Sequence, residues 1–163
     1  MSSSTLRAQF SLERSYAASL DEVWALWTTK NGIESWWGPE GFDVTVRGID
    51  LRPGGELLYV MTAVRAQEIA FMKQAGMPLA TEAKVTYTVV QPQTRLGYST
   101  LTDFVPGVEP YDVATLVELQ AVSDGVRMVL TFDAMHDAQW TEQARAGHES
   151  QLRKLDALLA ARS

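Results

Sequence analysis

The sequence predicts an α+β fold in which a curved antiparallel β-sheet wraps around one long C-terminal α-helix, with two short helices after the first strand. Two observations carry most of this. Segments between residues 10 and 134 alternate apolar and polar side chains with the period of strands, and turn residues punctuate them. Over 137–161 the period changes to that of a helix, with Trp140, Ala144, Gly147, His148, Leu152, Leu155 and Leu159 on one stripe. A run of strands closed by one long amphipathic helix buries its apolar surface when the helix lies on one face of the sheet.

Phe10, Leu12, Arg14 and Tyr16 alternate with Ser11, Glu13 and Ser15, which predicts a first strand over 10–17. Ser19 and Glu22 have the spacing of a capping box, in which hydroxyl and carboxylate each satisfy a backbone N–H of the other residue. Leu20, Val23, Trp24 and Trp27 then share a helical face and read as core. A second short helix is expected over 32–37, stopped by Gly38-Pro39 because proline cannot continue the ladder. Phe42, Val44 and Val46 open the next strand, and Arg52-Pro53-Gly54-Gly55 turns the chain into another over 56–64. A short helix over 65–76 is broken by Gly76-Met77-Pro78.

Four further strands are predicted, over 83–90, 94–103, 112–122 and 126–134, with Asp124-Gly125 as the hairpin signal between the last two. Val126, Met128, Leu130 and Phe132 alternate with Arg127, Thr131 and Asp133, so one face of the last strand is buried. Residues 1–9 read as a flexible tail, leaving one domain over 10–163.

Composition excludes several classes of function. The 14 Lys and Arg against 20 Asp and Glu leave a net charge of −6, which repels a phosphate backbone, and no basic cluster offsets it, so no nucleic-acid partner is expected. Without cysteine there is no disulfide, thiolate nucleophile or cysteine-ligated metal. No stretch approaches the roughly 20 apolar residues that span a bilayer. No signal-peptide core follows the Ser-rich start, so the expected location is cytoplasmic. Gly-x-Ser-x-Gly, the P-loop and the dinucleotide fingerprint are all missing, and no cofactor is expected. Asp133, His136 and Asp137 are close in sequence, but strand parity turns Asp133 and His136 to different faces, and Asp137 suits the cap of the last helix better than a metal.

Three motifs carry a resemblance: Trp36-Trp37-Gly38-Pro39 with Gly41-Phe42, then Arg52-Pro53-Gly54-Gly55-Glu56, then Gly147 with Leu152 and Leu155. With the order of elements they resemble the helix-grip fold of the START-like, or SRPBCC, superfamily, and within it the activators of the 90-kDa heat-shock protein ATPase and their bacterial homologues. Gly147 reads as the point where the helix approaches the sheet closely. Two departures stand out: His148 replaces a tryptophan common in that family, and the helix over 65–76 stands where relatives often have a shorter connection.

The resemblance implies an apolar cavity between helix and sheet, with Trp37, Phe71, Met72, Tyr87, Tyr98 and Phe132 around it. His148 joins them because its place on the apolar stripe turns it inward, where an imidazole must find a partner. A small apolar or aromatic molecule is therefore the expected partner, held by a binding or carrier domain. An enzyme of the cyclase or aromatase kind, with His148 polarising a carbonyl alongside Tyr87 or Tyr98, is the alternative. A chaperone-partner role is implied by the family alone. Homodimerisation would protect exposed sheet edges.

Overall fold

The computed structural model describes residues 8–102 and 107–161. The chain runs β1 (Gln9–Tyr16), α1 (Leu20–Thr28), α2 (Lys30–Glu34), β2 (Phe42–Ile49), β3 (Glu56–Ala63), α3 (Ala66–Gln74), β4 (Ala80–Gln91), β5 (Arg95–Thr102), β6 (Tyr111–Val122), β7 (Gly125–Asp133) and α4 (Ala138–Ala161). The strands form one antiparallel sheet in the order β1-β7-β6-β5-β4-β3-β2. β1 and β2 are therefore opposite edges. The chain crosses between them through α1 and α2, and then meanders back strand by strand.

Local chemistry sets the helix starts. The Ser19 side chain accepts from the Glu22 N–H while the Glu22 carboxylate accepts from the Ser19 N–H, so the capping box is complete. Asp137 accepts the Trp140 N–H at 2.8 Å and caps α4. The second helix begins earlier than its sequence suggests. Thr29 caps it by accepting the Gly32 N–H, which shifts α2 to Lys30–Glu34 and leaves Trp36 and Trp37 in the turn that follows. The expected tail of residues 1–9 lies outside the described residues up to residue 7. Gln9 already belongs to β1, opposite Asp133, and the Ala134 N–H donates to the Ala8 carbonyl.

The core lies between α4, the two short helices and the facing side of the sheet. Trp27, Trp36, Leu57, Val117, Met128, Leu130, Leu152 and Leu155 are all buried there. The ring centroids of Trp27 and Trp36 are 4.7 Å apart in an edge contact. Truncating a side chain such as Leu155 to Ala in this packing costs about 2–5 kcal/mol.

Helix α4 is not seated evenly. Leu152, Leu155 and Leu159 are buried in its C-terminal half, whereas Thr141 alone is buried among residues 138–151. Gly147 does not set the approach to the sheet. It is exposed, and a Cβ built there meets nothing within 4 Å. The motif residues that do hold the helix are Leu152 and Leu155, through ordinary apolar burial.

Candidate functional site

Register brings three of the aromatic candidates into one row. Tyr87 on β4 lies opposite Tyr98 on β5, Tyr98 opposite Thr115 on β6, Thr115 opposite Phe132 on β7, and Phe132 opposite Phe10 on β1. Because side chains alternate across a strand, directly paired residues share a face, here the one beneath α4. Two further candidates cover this row. The His148 ring lies 4.3 Å from that of Phe132, centroid to centroid. The Trp37 ring lies 5.9 Å from Tyr98 and 5.3 Å from Tyr59.

The polar atoms in this seam differ from those nearby in one respect. Among the buried tryptophans, Trp36 Nε1 donates to the Leu26 carbonyl at 2.7 Å, and Trp27 Nε1 makes a weaker contact of 3.3 Å with Met128 Sδ. Trp37 Nε1 and the Tyr87 hydroxyl are as deeply buried, yet no group among the described residues pairs with either. An unpaired buried donor costs about 1–3 kcal/mol. The Tyr98 phenol has the side chain of Thr115 as its hydrogen-bonding neighbour.

The seam is electrically neutral. Burial pushes the Tyr59 and Tyr87 phenols up to about 12 and raises Tyr98 further, so all three stay protonated at neutral pH. Burial also lowers the His148 imidazole to about 4, which leaves it uncharged. Among the described residues no hydrogen bond reaches its ring, and its neighbour is the face of Phe132.

Two backbone devices fix the unpaired donors in place. Lys154 on α4 donates to the carbonyls of Trp37 at 3.1 Å and Phe42 at 2.9 Å, while Gln151 Oε1 accepts the Gly38 N–H. Ser150 accepts the Glu40 N–H, and Arg153 pairs with the Glu40 carboxylate, holding that carboxyl below its usual range. The segment carrying Trp37 is thus strapped to α4. On the other side, the Gly54 N–H donates to the Tyr87 carbonyl and the Tyr87 N–H to the Gly55 carbonyl, both at 2.8 Å. Gly54 has φ +87°, which permits this turn. These straps were not foreseen from the sequence. Their only trace is a polar run at Ser150, Gln151, Arg153 and Lys154 interrupting the apolar stripe.

The remaining candidates fall elsewhere. Phe71 points to solvent and is 64% exposed, so it does not line the seam. Met72 is buried but stands outside the main core cluster. Neighbouring positions on α3 are about 100° apart around its axis, enough to bury Met72 and leave Phe71 outside. Asp133 accepts the Ala114 N–H of β6 and the Gln9 side-chain amide of β1, while His136 Nδ1, in the turn before α4, is 2.7 Å from the Tyr111 hydroxyl. No group of three potential metal ligands occurs among the described residues. A hollow of about 400 Å³ lies on the far face of the sheet, near Arg47, Leu58, Lys84 and Leu101. No helix among the described residues is long and apolar enough to cross a membrane.

A sheet closed by a long C-terminal helix, with an aromatic seam between them, defines the helix-grip class of proteins. Residues 17–160 match the family model described as activator of Hsp90 ATPase homolog 1-like protein, and the chain belongs to that family. Its fold is shared with a crystal structure of a protein from Chromobacterium violaceum, 23% identical, with TM-score 0.73 over 93% of this chain and 96% of that one. A homologue of the same activator family from Silicibacter pomeroyi is 22% identical, with TM-score 0.73 over 96% and 100% of the two chains. A solution structure of a related protein from Aeromonas hydrophila is 21% identical, with TM-score 0.64 over 93% and 94%. A search of curated proteins finds no match.

Proposed function

We propose that this chain binds a small apolar or aromatic molecule in the seam between α4 and the sheet, as a binding or carrier domain. The observation that carries the reading is the pair of buried donors, Trp37 Nε1 and the Tyr87 hydroxyl, that no group among the described residues satisfies although both backbones are firmly held. The uneven seating of α4 supports it. Ala144 and His148, between the buried Thr141 and Leu152, are only half-buried, so this half of the helix packs less closely than the half around Leu155. Flat aromatic walls at Trp37, Tyr98 and Phe132 suit an apolar guest.

The cyclase-like alternative has less support. It requires a second polar group beside His148 to share a substrate atom, and the contact made by this ring is the face of Phe132.

Native mass spectrometry of the purified chain, followed by thermal unfolding against a panel of apolar and aromatic compounds, tests the proposal. The expected result is a copurified small molecule, or compounds that raise the unfolding midpoint in proportion to their affinity. A chain purified free of any such molecule and unmoved by every compound would remove the reading.

A further inference from the structure

Resting on that reading, we propose that the guest is uncharged and carries one oxygen acceptor, a ketone, amide or lactone carbonyl, which receives hydrogen bonds from Trp37 Nε1 and the Tyr87 hydroxyl. Its apolar body then lies along Tyr98, Phe132 and His148.

The indole N–H can only donate, so its missing partner is an acceptor. The two donors belong to one locality. Tyr87 lies directly opposite Tyr98, and the Trp37 ring is 5.9 Å from that same Tyr98. A carbonyl oxygen has two lone pairs and accepts from two donors at once, which matches the pair left over.

The absence of charge along the seam sets the second half of the proposal. A carboxylate brought here would shed its hydration and meet phenols and a neutral imidazole, none of which carries a compensating charge. The ammonium of Lys154, beside Trp37, already donates to the carbonyls of Trp37 and Phe42 and is faced by Asp43 and Glu40. A neutral carbonyl loses far less hydration and regains it through two donors. The aromatic row from Tyr98 to Phe132 then offers apolar contact for the remainder of the molecule.

Titration calorimetry of the intact chain at pH 7 against three probes of one shape tests this: 2-acetylnaphthalene, 2-ethylnaphthalene and 2-naphthoate. The ketone is expected to bind about tenfold more tightly than the hydrocarbon, the net worth of such hydrogen bonds, with the carboxylate weakest. Trp37→Phe and Tyr87→Phe are each expected to lower affinity for the ketone severalfold and to leave the hydrocarbon unchanged. Tyr87→Phe removes a single unpaired hydroxyl, so it carries the test alone should Trp37→Phe fail to fold. Equal binding of ketone and hydrocarbon, preference for the carboxylate, or variants that weaken both neutral probes alike would overturn the assignment of the carbonyl while leaving the seam as a binding site. Binding of none of the three would overturn both.

Discussion

The ammonium of Lys154 lies 3.1 Å from the carbonyl oxygen of Trp37, so the residue whose indole donor is unpaired has its backbone fixed by the closing helix. The same ammonium holds the Phe42 carbonyl, which ties α4 to the start of β2 as well. Lys154→Met keeps the aliphatic stem and leaves two carbonyls without that donor. We expect a loss of about 1–3 kcal/mol in urea unfolding, together with weaker binding of any seam ligand, since Trp37 is no longer held. Lys154→Arg, which can still donate, should retain part of both.

His148 makes stability depend on pH in a defined window. Its imidazole titrates at about 4 when folded and near 6.5 when exposed. Between those values the unfolded chain binds more protons than the folded one, so stability rises as pH rises from 4 to 6.5 and is lost in the opposite direction. The difference is on the order of 3 kcal/mol. Subtracting the urea-unfolding profile of His148→Phe from that of the parent chain should isolate this slope, because the carboxylates with lowered values titrate in both. Parallel profiles across the window would show that His148 is not desolvated.

Two tyrosines facing each other across β4 and β5 should respond differently to loss of their hydroxyls. Tyr87→Phe removes an unpaired buried group, and its expected effect on the ligand-free chain is neutral or stabilising by up to about 1 kcal/mol. Tyr98→Phe deprives Thr115 of its neighbour and is expected to cost about 1 kcal/mol. Denaturant midpoints for the two variants, measured side by side, check the order.

Glycines in two of the family motifs have opposite roles. Gly147 is helical, exposed and free of contacts, so Gly147→Ala should stabilise by up to about 1 kcal/mol. Gly54 sits at φ +87° in the turn whose N–H holds the Tyr87 carbonyl, and Gly54→Ala should cost about 1 kcal/mol or more. Thermal unfolding of the pair decides this. A destabilised Gly147→Ala would return that glycine to the role of helix–sheet spacer.

What was legible in the sequence was whatever local physics decides. The capping box at Ser19, the cap at Asp137 and the alternation of β7 depend on neighbours within a few residues, and they stand as read. The family resemblance placed Tyr87, Tyr98 and Phe132 around the groove beneath the last helix, but that they form one row rests on the register of the folded sheet. Features fixed by distant partners were not legible. Trp36 and Trp37 are identical neighbours, and only folding shows that one donates to Leu26 while the other has no partner. The rotation of α3 turned Phe71 outward, and that of α4 turned Gly147 away from the sheet. Nothing within either helix sequence marks which side of a broad apolar face meets the core.

The most direct test follows the indole N–H signals of nitrogen-15-labelled protein during titration with 2-acetylnaphthalene. The Trp37 signal is expected to move downfield as its donor gains an acceptor, while those of Trp27 and Trp36, already directed at Met128 and Leu26, stay nearly fixed. A Trp37 signal that does not move at saturating ketone, or that moves no more than the other two, would contradict it.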